Sequence, residues 1–370
     1  MNALSANNGG GFGGHGYAYG CLVLGVAYLI AAGAAWGGDD DRSSHQRPPD
    51  RPQHCPLATP GGNDLAAGAS NRITTCEVLR AIQLIKKGRI ASLGRVYTDA
   101  NNPPADKITP LLYGRTYSLE PIPLLDGFGT NRSIFFDDRI QGNIAQDGTQ
   151  FDSLRHTGIL HDADGKDWFN GLRPDQLGVE NVRPIFTRGI LIDVAGFKGR
   201  MLELDDDPIT MSDVRDTLRW QGLSERDITR GDAVLFNTGW SHMYELAERA
   251  KIEVVNGVPV KVPDTEAIAA WGRGEPGIGM EVANWLAEKE VVLVGSDNFA
   301  VEYLPVTVVG PNGEYAPVHA ELISNQGIFL HENLDLSVLL KNRVYVFVYV
   351  FVPVPFAGAS GSPGNPIAIW

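Results

Sequence analysis

The chain has 370 residues, of which 44 are acidic and 31 basic, giving a net charge of −13. That balance excludes nucleic acid as the expected partner, because binding phosphates needs clustered Lys and Arg, and no basic stripe with interleaved aromatic residues occurs. An apolar fraction of 43 % beside a charged fraction of 20 % belongs to a globular protein able to bury a core, so small-molecule chemistry is the expectation.

In chain order, residues 1–37 read as a leader: a glycine-rich stretch, then the continuous apolar run Cys21 to Trp36. The run is shorter than the ~20 residues of a membrane span and suits a signal-peptide core, with Ala32-Gly33-Ala34 as cleavage site. No Lys or Arg precedes it, so a mistaken start codon is the second reading. The expected location is secreted or periplasmic if the run is a signal and cytoplasmic otherwise, with no stable membrane span. Residues 38–70, polar and proline-rich, read as a disordered linker. Residues 71–370 remain for one large domain. With Cys21 in the leader, Cys55 and Cys76 could form a single disulfide in an exported protein; two unpaired thiols are the equal alternative.

Within the domain, Val78, Ile82 and Ile85 lie at helical spacing, which predicts a helix over 76–87 with Thr74 or Thr75 as N-cap. Residues 101–123 are proline-bearing and read as irregular. Short apolar runs at 190–194, 233–237 and 291–294 predict buried strands, and 211–223 and 279–290 predict helices. Residues 344–352 alternate Val, Tyr and Phe up to Pro353, as a long strand would. Alternating strands and helices indicate an α/β class with a mixed sheet, since some connections are too short for crossover helices.

The most informative segment is Gly148-Thr149-Gln150-Phe151-Asp152-Ser153-Leu154-Arg155-His156. Asp152 and His156, four apart, can converge on one divalent cation if the chain turns helically there. Gln146 and Gln150 stand just upstream, and His319 with Glu332 supplies a second imidazole–carboxylate pair. Taken singly, or as one pair, these residues are better read as ordinary surface or hydrogen-bonded polar groups. Arg188 is read as a structural ion pair ahead of a substrate or Asp193 contact. His161, Asp162, Asp164 and Asp167 resemble half a calcium loop, but Arg173 stands where its Glu would be, so they read as a solvated loop. Asn170-Gly171 is a turn with or without a pocket role, and Trp168 and Phe169 suit either a pocket wall or packing. His331 would face away from Glu332 in a strand. No Gly-x-Ser-x-Gly elbow is present, and Gly272 to Gly279 has neither Rossmann nor Walker spacing, so no nucleotide cofactor is expected.

The ordered set of Gly148 to Asp152 with His156, Phe169-Asn170-Gly171, Thr187 to Asp193, Thr238-Gly239-Trp240, Glu275 to Gly279, Gly295 to Asn298, Pro317-Val318-His319, Glu332-Asn333-Leu334 and Gly361 to Pro366 resembles the putative-cyclase family. These are metal-dependent amide hydrolases that include bacterial kynurenine formamidase and isatin hydrolase. The resemblance spans residues 75 to 370. It implies a compact β/β/α swivelling-type fold, a homodimer or homotetramer, and Asp152, His156, His319 and Glu332 around one divalent ion, with Asp152 able to bridge to a second. Zinc formamidases carry histidines where this chain has Gln146 and Gln150, although a branch of the family resembles it in having Gln150. Amide oxygens at those places suit a harder ion, so the expectation is one well-formed site holding manganese or zinc. Amide hydrolysis needs an activated water and a proton for the departing nitrogen; a metal ion supplies the first and His the second. Asp152 and His156 are therefore the expected catalytic residues. The expected function is cleavage of a C–N bond in a small amide, formamide or lactam. Opening of a lactone and non-catalytic binding of a small molecule are the alternatives.

Overall fold

A computed structural model describes residues 64–98, 107–159, 169, 171–304, 313 and 315–370. The leader, most of 38–70, Cys21, Cys55, the half calcium loop, Trp168 and Asn170 lie outside the described residues. Cys76 is disulfide-bonded. The strands in chain order are β1 (Ile90–Ser92), β2 (Tyr117–Phe128), β3 (Ser133–Gly142), β4 (Gln150–Asp152), β5 (Ile185–Asp193), β6 (Ala233–Asn237), β7 (Ala250–Val255), β8 (Val258–Pro263), β9 (Leu293–Ser296), β10 (Phe329–Glu332), β11 (Val346–Phe351), β12 (Gly361–Pro363) and β13 (Ile367–Ile369). Nine form one sheet in the order β1-β13-β11-β5-β6-β9-β10-β4-β12, while β2–β3 and β7–β8 are separate hairpins.

The centre of the large sheet is parallel, β5 to β6 to β9 to β10, and its two sides are antiparallel. This is the mixed α/β arrangement the alternation predicts. Parallel strands are covered on both faces, which is why they read as unbroken apolar runs. Ile190, Leu191, Ile192, Val234, Leu235, Phe236, Leu293 and Val294 are all fully buried, each contributing about 1.5–3 kcal/mol in transfer from water. The helices Met211–Trp220 and Met280–Glu288 lie in the crossovers and turn Val214, Leu218, Val282 and Leu286 inward. Thr74 and Thr210 close capping boxes with Glu77 and Asp213 at the starts of Thr75–Ile82 and Met211–Trp220.

Three expectations shift. The strand expected at 190–194 begins at Ile185, because buried Thr187 and Arg188 hide its first half from an apolar pattern. The irregular 101–123 segment contains the start of β2, whose Pro121 and Pro123 are tolerated in a ribbon with a single neighbour. Residues 65–72 form a 3-10 helix with Ala67 and Ala69 buried, so the packed body starts before residue 71. Small side chains that read as linker here allow close backbone approach. Among the described residues, no helix is long and apolar enough to cross a membrane.

Candidate metal centre and pocket

Strand register assembles the site. β4 runs antiparallel to β10 with Glu332 opposite Gln150 and Leu330 opposite Asp152. Side chains alternate along a strand, so Gln150, Asp152 and Glu332 share one face, while Phe151 and His331 share the other. His331 does face away, as expected: its Nδ1 meets the Tyr349 hydroxyl at 2.6 Å among Phe151 and Phe351. Burial drives its pKa down to about 3, so it is a neutral core residue.

After β4 the chain turns, with the His156 amide donating to the Ser153 carbonyl at 2.9 Å. This turn brings His156 Nε2 to 3.7 Å from Asp152 Oδ2. His319 comes from the helical segment Pro317–His319, which continues as a π-helix over Ala320–Asn325. Its Nε2 lies 4.0 Å from Asp152 Oδ2 and 3.5 Å from Glu332 Oε1. The nitrogen and oxygen atoms that Asp152, His156 and His319 offer all fall within 4.8 Å of one another. Of the six residues singled out from sequence, these four converge directly.

The two glutamines join the cluster in a different capacity. Gln146 Nε2 donates to Asp152 Oδ1 at 3.2 Å, and Gln150 Nε2 donates to Glu332 Oε2. An amide beside a carboxylate must present its N–H, so both glutamines orient the acids. Gly361, opposite Asp152 on β12, leaves room for this; a Cβ there would sit 2.7 Å from Gln146 Nε2.

The electrostatics are those of buried carboxylates packed against two imidazoles. Asp152 is fully buried, and its Oδ2 accepts no hydrogen bond. Burial, then Asp152, pushes Glu332 up to about 8. Burial would lower His319, but Glu302 and then Glu332 hold it well above the usual imidazole range. His156 lies below that range, through burial first and only partly offset by Asp152. Two dry carboxylates facing two imidazoles is a place where a divalent cation would relieve repulsion.

The cluster opens on a cavity of about 560 Å³. His156, His319 and Glu332 line one wall, and Leu112, Tyr113, Trp271, Phe299 and Leu304 give an apolar side. Phe169 is core packing, pressed near Gly327, and takes no part in that wall. Gly171 sits in a tight turn between Phe169 and Leu172. Arg188 is a structural ion pair: its guanidinium holds Asp232 at 3.0 Å through Nε, and Arg80 reaches the same carboxylate at 2.8 Å.

Sequence reasoning missed Glu302, a buried carboxylate paired with His319 Nδ1. It also missed that several signature residues are braces. Asp297 accepts from the Thr238 amide and hydroxyl, Asn298 donates to the Pro276 carbonyl, and Glu275 accepts from the Phe299 and Ala300 amides. A lone acid inside an apolar stretch, as in Phe299 to Leu304, is the signal that could have found Glu302.

These features define an α/β protein whose buried acid–imidazole cluster opens on a cavity with an apolar side. The family model described as putative cyclase matches residues 97–303, and the chain belongs to that family. One solved structure, described as a novel cyclase, is 26 % identical with a TM-score of 0.66; the match covers 84 % of this chain and 97 % of that one. Isatin hydrolase A from Ralstonia solanacearum shares the fold at 17 % identity and a TM-score of 0.52, covering 76 % of this chain and 91 % of the other. Comparison with curated proteins found no match.

Proposed function

We propose that the protein is a metal-dependent hydrolase that cleaves a C–N bond in a small amide, formamide or lactam with an apolar or aromatic body. The observation that carries this reading is Asp152 Oδ2, buried and without a hydrogen-bond partner, facing two imidazole nitrogens. The donor set of carboxylate oxygen and imidazole nitrogen, free of sulfur, suits zinc or manganese. Separations of 4.0 Å from His319 to Asp152 and 3.5 Å from His319 to Glu332 fit ligands bound at about 2.0–2.2 Å to a common ion. With both glutamines donating to the acids, the reading is one ion, held by Asp152, His319 and Glu332, with His156 beside Asp152 left free to move a proton rather than serve as the fourth ligand.

When bound, a divalent ion lowers the pKa of water and polarises a carbonyl. The chain's own residues do the rest. Gln146 and Gln150 fix the carboxylates, and Trp271 and Phe299 receive the apolar part of the substrate and exclude water. His156 has the most exposed side chain of the four. Burial keeps its imidazole neutral near pH 7, so it can take a proton from water and return it to the departing nitrogen. Exposed Phe128, Phe135 and Phe136 on the β2–β3 hairpin support a homo-oligomer as part of this reading.

The test is metal content and turnover of purified protein with added zinc or manganese on aromatic amides, formamides, lactams and lactones. We expect one equivalent of ion and ion-dependent release from an amide or lactam. Turnover of lactones alone would transfer the reading to ester opening, and protein that binds no ion would leave a non-catalytic binder. A monomer mass by light scattering would remove the oligomer.

A further inference from the structure

The geometry points to Glu302 as a positioning residue that sets which nitrogen of His319 faces the cation site; this rests on the metal-dependent reading. Glu302 is 1 % exposed. Its Oε1 meets His319 Nδ1 and accepts from the His319 amide at 3.2 Å, while Oε2 accepts from the Val318 amide at 3.2 Å. An acceptor fixed on Nδ1 holds a proton on that nitrogen, so Nε2 is the one left to give up its proton to a bound ion. Nε2 is the nitrogen that faces Asp152 and Glu332. A carboxylate on the far side of a metal-binding imidazole also raises its basicity and locks its ring.

The surroundings hold Glu302 itself in place. Ile278 brackets it, donating from its amide to the Val301 carbonyl at 3.1 Å and accepting from the Tyr303 amide at 3.0 Å. Gly277 lets the two segments close, since a Cβ there would lie 2.3 Å from the Glu302 carbonyl carbon. Val301, directly before Glu302, has φ of +63°, a conformation that β-branched residues avoid. The Glu275 carboxylate accepts from the Phe299 and Ala300 amides and Asn298 Oδ1 accepts from the Val301 amide, pinning the segment that leads into Glu302. A strained, doubly braced loop whose side chain ends on a candidate ligand is a positioning device, and helix capping alone would not need the Nδ1 contact.

The test compares zinc and cobalt(II) binding to the full chain with Glu302, Glu302→Gln and Glu302→Leu. Gln keeps one acceptor for Nδ1–H and Leu keeps none. We expect zinc dissociation constants about 10-fold weaker for Gln and about 100-fold weaker for Leu, with the cobalt absorption bands displaced in the same order. Equal constants and an unchanged cobalt spectrum in folded variants would overturn the inference and leave Glu302 a cap. If the Leu variant does not fold, wild type against Gln decides by the same criteria. A wild-type chain that binds neither ion would refute the metal-dependent reading itself, a distinguishable result.

Discussion

Asp152→Asn is expected to abolish ion binding at concentrations that saturate the wild type and to lower hydrolysis by about 10³-fold or more. The carboxylate is central because, among the described residues, it alone faces both His156 and His319, at 3.7 and 4.0 Å. An amide of the same shape keeps the fold but offers a neutral oxygen, and near Gln146 it must also settle which of its ends meets an N–H. The ion-free protein should respond in the opposite sense. Asp152 is the second cause, after burial, of Glu332's rise to about 8. Removing its charge moves Glu332 back toward the usual carboxylate range. An acid whose folded pKa is raised withdraws stability as pH climbs from its unfolded value through the folded one. The variant should therefore melt no lower than wild type at pH 8 without metal, a comparison for calorimetry. A variant that still binds zinc and turns over would sink the assignment of Asp152.

Asp232→Ala has the largest expected effect on stability. Arg188, 2 % exposed on β5, and Arg80 both end on this carboxylate, which also accepts from the Thr229 amide at 2.8 Å. Removing it strands a buried guanidinium, a change that costs about 3–5 kcal/mol. For a domain of this size that is a fall in melting temperature of roughly 10 °C. β5 is separated from β10 by β6 and β9, so folded variant should still bind zinc with near wild-type affinity. Unchanged melting would mean the pair is dispensable.

What could be read from sequence divides by the range of the interaction. The β6 and β9 runs, the helices near 211 and 280, and β11 before Pro353 are local apolar patterns, and they were legible. Asp152 and His156 lie within one turn, so spacing alone brought them together. Glu332 and His319 needed the family resemblance, because strand pairing between residues near 150 and near 330 leaves no local trace. The role of the glutamines was legible only as a departure from the family pattern; that their N–H groups meet the carboxylates depends on the β4–β10 register. Glu302 lacks a motif of its own, and Arg188 found its partner on another segment. The exposed hairpins escaped because a two-stranded ribbon carries no one-sided burial pattern, and Pro121 and Pro123 disguise it further.

The place of β4 in the sheet bears on how the molecule is made. Both of its neighbours, β10 (Phe329–Glu332) and β12 (Gly361–Pro363), follow it only after a long intervening stretch of chain. On the ribosome, a segment holding Phe151 and Asp152 must therefore wait until β10 and β12 have emerged before it can pair, and closing so large a loop slows folding. The site should therefore form abruptly once those strands emerge, rather than accumulating gradually along the nascent polypeptide.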